Sequence, residues 1–172
     1  MPGRSKIKAA LLRKLKRIRI VILDVDGVLT DGSIIYDAEG MEYKRFHVHD
    51  GFGIFRGHEK GLKFAIISGR DSKVTTIRAR RLKITEVYQG SEDKVSAFRR
   101  IIKKYNLAAD EVCFIGDDEF DLPLLRLVGV SAAPADALAK VRREVHFVSA
   151  KRGGRGAVRE IIDMILAART LL

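Results

Sequence analysis

The sequence predicts an α/β fold: a doubly wound, mostly parallel sheet with helices on both faces. Three observations carry this. From Arg19 onward, short β-rich apolar runs alternate with segments of helical period, the pattern of successive βαβ units. The 172 residues hold no internal repeat, low-complexity tract or Pro-rich linker, so one domain is expected. Finally, the polar motifs fall just after the apolar runs, at the strand ends where such sheets bind ligands.

The first element is a basic arm, residues 1–17. Ile7, Ala10, Leu11 and Leu15 recur at helical spacing behind a candidate N-cap at Ser5, which predicts an amphipathic helix, solvated or packed on another subunit. Residues 18–172 form the expected domain. Its predicted strands are Ile18–Leu23, Leu62–Ser68, Ile84–Tyr88, Glu111–Ile115, Gly129–Ala132 and Glu144–Val148. Helices are predicted between and after them near Phe52–Lys60, Asp71–Leu82, Glu92–Tyr105, Phe120–Leu127, Ala135–Arg143 and Ala157–Ala168. One segment breaks the rhythm: Gly32–Asp37 and Met41–Val48 are both strand-like and flank the turn formers Ala38-Glu39-Gly40, predicting a projecting β-hairpin, a flap over about 32–48.

Composition narrows the class. With 47% hydrophobic and 32% charged residues the chain reads as globular, and no apolar run approaches the roughly 18 residues that suggest a membrane span. The single cysteine, Cys113, excludes an internal disulfide, and no Cys/His spacing suggests zinc; a cytoplasmic protein is expected. The net charge of +11 is mostly local. Residues 1–20 carry eight Lys or Arg and no acid, leaving 25 basic against 22 acidic residues elsewhere. The arm has no aromatic residue for base stacking, so contact with nucleic acid or an anionic membrane is the less favoured reading for it.

The chemistry-bearing residues converge. Asp24 and Asp26 follow the first strand, Ser68-Gly69-Arg70 the second, Gly116-Asp117-Asp118-Glu119-Phe120-Asp121 the fourth, and Lys94 opens a helix. Singly, each has a plainer reading: a turn, a loop, a helix start rich in acids, a surface lysine. Together, in this order and at one sheet edge, they suit phosphoryl transfer. A carboxylate attacking a phosphate meets anionic repulsion, which a hard divalent cation held by oxygens relieves. Asp24 and Asp117 can ligate it, Ser68 and nearby backbone N–H groups can hold phosphate oxygens, and Lys94 can neutralise both partners. Asp26 is placed to protonate the leaving oxygen and then deprotonate water, while Gly27 permits a sharp exit from the strand.

The motifs DVDGVLTDG, ISGR, Lys94 and IGDDEFD resemble the four signatures of the haloacid dehalogenase superfamily. Within it, LDVDGVLTDG, FHVHDGFGI, VYQGSEDK and GGRGAVREI are similar to the 3-deoxy-D-manno-octulosonate 8-phosphate phosphatase family over roughly Arg19 to Leu166. The resemblance implies a Rossmannoid fold without a cap domain, and a Mg²⁺-dependent phosphatase of lipopolysaccharide precursor synthesis. It implies an aspartyl-phosphate on Asp24, with Asp26 as general acid/base that also lends its carbonyl to the metal. Asp117 would complete the ligands, Asp118 and Asp121 would orient neighbours, and Ser68 and Lys94 would hold the phosphate.

Spacing agrees with the missing cap. Asp26 to Ser68 spans 42 positions and Ser68 to Lys94 spans 26, too few for an inserted domain. The resemblance therefore implies a homotetramer in which hairpins pack together and a neighbour's C-terminal segment, about 150–172, covers the site; Gly153-Gly154-Arg155-Gly156 reads as a mobile, anion-seeking lid. Contacts to the sugar acid are expected from His47, Val48, His49, Asp50, Gly51, Arg70, Arg78, Lys94 and Arg155, with His47 and His49 sharing a strand face. His49 and Phe55 stand where members of the family carry arginines, which weakens pairing with a sugar carboxylate. The rival readings are a nonulosonate 9-phosphate phosphatase of sialic-acid-type metabolism, a nucleic-acid phosphatase using the open site and the arm, and an inactive scaffold. His58, His146 and Cys113 are expected to be structural.

Overall fold

The computed structural model describes residues 3–170, with side chains described from Ala9 onward. Six parallel strands form the sheet: β1 (Ile20–Leu23), β4 (Lys63–Ile67), β5 (Glu86–Tyr88), β6 (Val112–Ile115), β7 (Val130–Ala133) and β8 (Phe147–Val148), in spatial order β5-β4-β1-β6-β7-β8. β1 lies inside the sheet, and the strand order reverses beside it. Leu23 pairs with Ile66 on one side and Ile115 on the other, so the residues that follow these strands emerge at one edge.

Alternation along each strand sends side chains to opposite faces. Val21 and Leu23 of β1 join Phe64, Ile66, Cys113 and Ile115 in one core, covered by α1 (Gly3–Arg17), α2 (Val48–Glu59), α3 (Lys73–Arg81) and α7 (Ala157–Thr170). Ile20 and Ile22 join Ala65, Ile67 and Phe114 in the other, covered by α4 (Lys94–Tyr105), α5 (Leu122–Leu125) and α6 (Ala139–Glu144). Cys113 is fully buried, and burial pushes its thiol up to about 12, so it acts as a small core residue. His58 is held by a hydrogen bond between Nε2 and the Leu82 carbonyl (3.2 Å), and His146 by Ser131, both away from the polar strand edge.

Three expectations need correction. The basic arm is a helix, but it starts at Gly3, ahead of Ser5, whose side chain, like that of Ile7, lies outside the described ones. Its described apolar side chains pack within the chain: Leu15 is buried, and Leu11 and Leu12 pack against the same core as α7. The hairpin is shorter than predicted, with only β2 (Ile35–Tyr36) and β3 (Glu42–Tyr43) paired. Val48 and His49 do not continue a strand; His47 is the extended residue before α2, because Ile54, Gly53 and Gly57 extend a buried helical face back toward Asp50. His47 and His49 still meet, their rings edge-on at 5.0 Å.

The third correction concerns the lid. From Ala157 the expected lid segment is core helix, burying Val158, Ile161, Ile162 and Ile165; its last two residues, Leu171 and Leu172, lie outside the described ones. The glycine loop before it is packed down as well. Gly153 N–H donates to Asp136 (2.9 Å), Gly154 N–H donates to the Val28 carbonyl (2.9 Å), and a Cβ on Gly153 would sit 1.8 Å from the Gly27 oxygen. Only glycine lets the two backbones approach so closely.

Asp50 ties α2 to α7. Its buried carboxylate accepts N–H groups from Gly156 (3.2 Å) and Arg159 (2.9 Å) at the start of α7, donors that the helix cannot satisfy itself. Replacing Asp50 with Ala should lower the unfolding free energy by about 2 kcal/mol in urea titration; an unchanged midpoint would show that water replaces the carboxylate without cost.

Candidate active site at the carboxyl edge of the sheet

Asp24 follows β1 directly, and its N–H donates to the Ile115 carbonyl (3.0 Å), which fixes it on the sheet axis. Ser68 follows β4 in the same way, its N–H donating to the Tyr88 carbonyl (2.9 Å). Beyond β6, Gly116 bonds back to β7 and Asp117 turns over the edge. A cavity of about 250 Å³ opens there, lined by Asp24, Asp26, Ser68, Arg70, Lys94 and Asp117 among others. Residues from three strand ends and the first turn of α4 thus meet in one place.

Lys94 is the centre of the arrangement. Its ammonium lies 3.1 Å from Asp24 Oδ1 and 2.6 Å from Asp121 Oδ1, and its side chain is buried. Burial by itself would lower the lysine's pKa, but the two carboxylates outweigh it and hold the pKa above its ordinary value. Asp121 is fully engaged: its other oxygen accepts N–H groups from Asp117 (2.8 Å) and Asp118 (3.2 Å), which shapes the loop and sets Asp117 in position.

Asp24, Asp117 and Asp121 each offer an oxygen, and these oxygens lie within 4.8 Å of one another. Burial pushes Asp24 up to about 7, with Lys94 opposing and Asp121 reinforcing the rise. Burial and the neighbouring carboxylates push Asp117 up to about 8. Among the described residues, Asp117 Oδ1 is buried without a hydrogen-bond partner. Crowded carboxylates with one orphaned oxygen fit a divalent cation bound by Asp24 and Asp117, with Asp121 kept from direct ligation by Lys94 and the loop amides. Gly27, at φ +84°, makes the space: a Cβ there would lie 2.0 Å from Asp117 Oδ2.

Asp26 is at the cavity but turned differently. Its Oδ1 contacts the Lys44 ammonium, and Oδ2 lies 3.8 Å from Arg70. Arg70 in turn bonds Glu42 (3.1 Å) and the Tyr36 hydroxyl (3.0 Å), and the Ser72 hydroxyl donates to Glu42, so the hairpin is docked onto the loop after β4. Lys44, Glu42, Tyr36 and the exposed Phe120 at the cavity lip were not among the expected site residues. Strand alternation held one signal, since it places Lys44 on the face of Glu42, but it does not show that this face meets Asp26.

Most other expected substrate residues lie outside the cavity of their own chain. Arg78 stacks its guanidinium 5.2 Å from the Phe46 ring centre and donates to the His47 carbonyl at 3.4 Å. A Cβ on Gly51 would meet Arg78 at 2.6 Å, so that glycine makes room for the arginine. Val48 and His49 are exposed on the first turn of α2. Arg155 lies 3.8 Å from Asp31, which Arg45 also contacts. Asp50 caps α7, as described, so its carboxylate is already committed.

The raised carboxylates set a pH signature for the protein without divalent cation. A folded-state pKa above the usual 3.8 means that the folded chain holds protons the unfolded chain releases, so Asp24 and Asp117 destabilise the fold progressively as pH rises from about 4 to about 8. In EDTA, the midpoint of thermal unfolding of Asp24→Asn should therefore gain on wild type as pH is raised across that window. A constant difference would refute the burial and crowding described here.

A family model for haloacid dehalogenase-like hydrolases matches residues 65–162. The 3-deoxy-D-manno-octulosonate 8-phosphate phosphatase of Escherichia coli K12 is 41% identical over 163 residues, covering 95% of this chain and 87% of the relative. A crystal structure of the enzyme of that name from Yersinia pestis superposes with a TM-score of 0.92 at 41% identity, over 93% of this chain and 86% of the other. Another, from Moraxella catarrhalis in complex with magnesium ion, phosphate ion and KDO, superposes with a TM-score of 0.91 at 36% identity, over 97% and 94%. With carboxylates, serine and lysine meeting at the strand ends and this likeness along nearly its whole length, the chain belongs to the 3-deoxy-D-manno-octulosonate 8-phosphate phosphatase family of haloacid dehalogenase-like hydrolases.

Proposed function

We propose that the chain is a magnesium-dependent phosphomonoesterase that releases phosphate from 3-deoxy-D-manno-octulosonate 8-phosphate and supplies the free sugar acid to lipopolysaccharide precursor synthesis. The observation that carries this is the buried Lys94 ammonium between Asp24 and Asp121, with Asp117 crowded beside them. Such a cluster is costly for stability alone and is suited to receiving a cation and a phosphate.

Asp24 attacks phosphorus as the bond to the sugar oxygen breaks, and Asp26 gives that oxygen its proton. Water then attacks the phosphorus of the aspartyl-phosphate and gives a proton to Asp26, which frees phosphate and restores Asp24. Lys94 holds charge on both the nucleophile and the transferring group, while the Ser68 hydroxyl and the N–H groups of its loop receive phosphoryl oxygens. Magnesium, held by Asp24, Asp117 and the Asp26 carbonyl, supplies the positive charge that lets a carboxylate approach a phosphate.

Arg70 lines the cavity and offers a guanidinium for a sugar carboxylate. The remaining recognition residues, His47, Val48, His49, Gly51, Arg78 and Arg155, would act from the surface, where a second subunit can complete the site. A homotetramer is supported by the hairpin's apolar side chains, Ile34, Ile35, Tyr36, Met41 and Tyr43, each at least 45% exposed. No described helix is long and apolar enough to cross a membrane, and a cytoplasmic location accords with a soluble sugar phosphate as substrate. A nonulosonate 9-phosphate, which bears the same carboxylate, is the second reading: with His49 and Phe55 in place of arginines, fewer fixed cations tie the chain to one sugar acid.

Assayed with Mg²⁺ against both sugar-acid phosphates and a 3′-phosphorylated oligonucleotide, the protein should favour the octulosonate by kcat/KM. Preference for the nonulosonate would select the second reading, and hydrolysis of the oligonucleotide alone would overturn both. Asp24→Asn should lower kcat at least about a thousand-fold with folding retained, and light scattering should give four copies.

A further inference from the structure

Lys44 sits where the hairpin meets the site. Its side chain is 1% exposed, less than the 7% of Lys94, although it belongs to a surface hairpin. Its ammonium contacts Asp26 Oδ1 and lies 3.4 Å from Glu42. Glu42 does not need it, since that carboxylate already has Arg70 at 3.1 Å and the Ser72 hydroxyl. Burying an ammonium costs several kcal/mol unless it is well paired, and an apolar residue would anchor the hairpin at lower cost. The pairing with Asp26 therefore needs a reason beyond stability.

Geometry supplies one. Asp26 has two oxygens and two cationic neighbours, Lys44 at Oδ1 and Arg70 at 3.8 Å from Oδ2. Arg70 lines the cavity with Asp26, and Oδ2 is the Asp26 oxygen on the Arg70 side. A carboxylate held at one oxygen cannot swing to pair fully with Arg70. Resting on the proposed role of Asp26, we infer that Lys44 is a positioning residue for the general acid/base: it holds Oδ1 so that Oδ2 stays free to exchange the proton. In the first step that proton leaves Oδ2 for the sugar oxygen as the P–O bond breaks; in the second, Oδ2 takes one from the attacking water. Lys44 keeps its own protons throughout. The hairpin, whose β strands pair over only two residues each, thereby carries part of the catalytic geometry of its own subunit.

The test uses leaving groups. Aryl phosphates such as p-nitrophenyl phosphate expel a stable anion without help from an acid, whereas simple alkyl phosphates and the sugar phosphate need the proton. Because kcat/KM reports steps only through departure of the leaving group, and the ratio between two substrates cancels the fraction of active protein, the readout does not depend on how well a variant folds. Lys44→Met should lose at least about ten-fold more kcat/KM on a simple alkyl phosphate than on p-nitrophenyl phosphate. Lys44→Arg should recover part of that difference by restoring the cation. The alkyl phosphate has no sugar carboxylate, so lost sugar recognition cannot produce the effect.

Equal losses on both substrates would overturn the inference and leave Lys44 as a structural anchor. Asp26→Asn run beside it separates the two levels. If Asp26→Asn discriminates between the substrates and Lys44→Met does not, only the role of Lys44 falls. If Asp26→Asn does not discriminate either, the acid/base role of Asp26 falls, and the inference with it.

Discussion

Three carboxylates share one buried ammonium at the carboxyl edge of the sheet. Asp24, Asp117 and Asp121 lie close enough to repel strongly, and Lys94 answers only part of that charge. Fully ionised, the group would carry two excess negative charges, which a divalent cation balances. The lysine cannot simply be multiplied to achieve this, because an ammonium does not offer an open coordination position to a phosphate oxygen. Charge deficit and metal requirement are thus the same property seen from two sides, and the raised pKa values of Asp24 and Asp117 express it when no cation is bound.

The fold serves this cluster. A parallel sheet aligned through Leu23, Ile66 and Ile115 presents three strand ends at one level, and a core on each face holds that alignment. Two close approaches then wrap the edge: Gly27 over Asp117, and Gly153 against Gly27. The loop before α7 in this way supports the loop that follows Asp24, and Asp50 secures α7 from the other side. The hairpin adds Glu42, Lys44 and Tyr36, each bonded to a residue at or beside the cavity. The sheet edge therefore carries the clustered carboxylates, Ser68 and Lys94, while His47, Val48, His49, Arg78 and Arg155 lie outside that cavity.

Much of this was legible in the sequence because local signals and global pattern agreed. The alternation of apolar runs gave the strand set and the layer order, and Asp24, Ser68, Lys94 and Asp117 were each readable as polar residues placed just beyond a run or at a helix start. What was not legible depended on tertiary contacts. His47 to His49 looked strand-like, but the helix is decided by packing of Ile54 and Gly53 under α7. Gly153 and Gly154 looked mobile because glycine permits motion; here it permits contact. Lys44 was not singled out, since nothing local shows that the hairpin folds back onto Asp26. In the basic arm, Leu11, Leu12 and Leu15 pack into the core that α7 covers.

Within this charge cluster, Asp24 is the residue we propose to form the covalent intermediate. The most direct measurement is rapid acid quenching after mixing the protein with Mg²⁺ and 3-deoxy-D-manno-octulosonate 8-phosphate, followed by peptide mass spectrometry. One added phosphoryl group located on Asp24, absent when Mg²⁺ is omitted, is the predicted result. A phosphoryl group on any other residue, or turnover with no phosphorylated peptide even at the shortest times and with water attack slowed in Asp26→Asn, would contradict it.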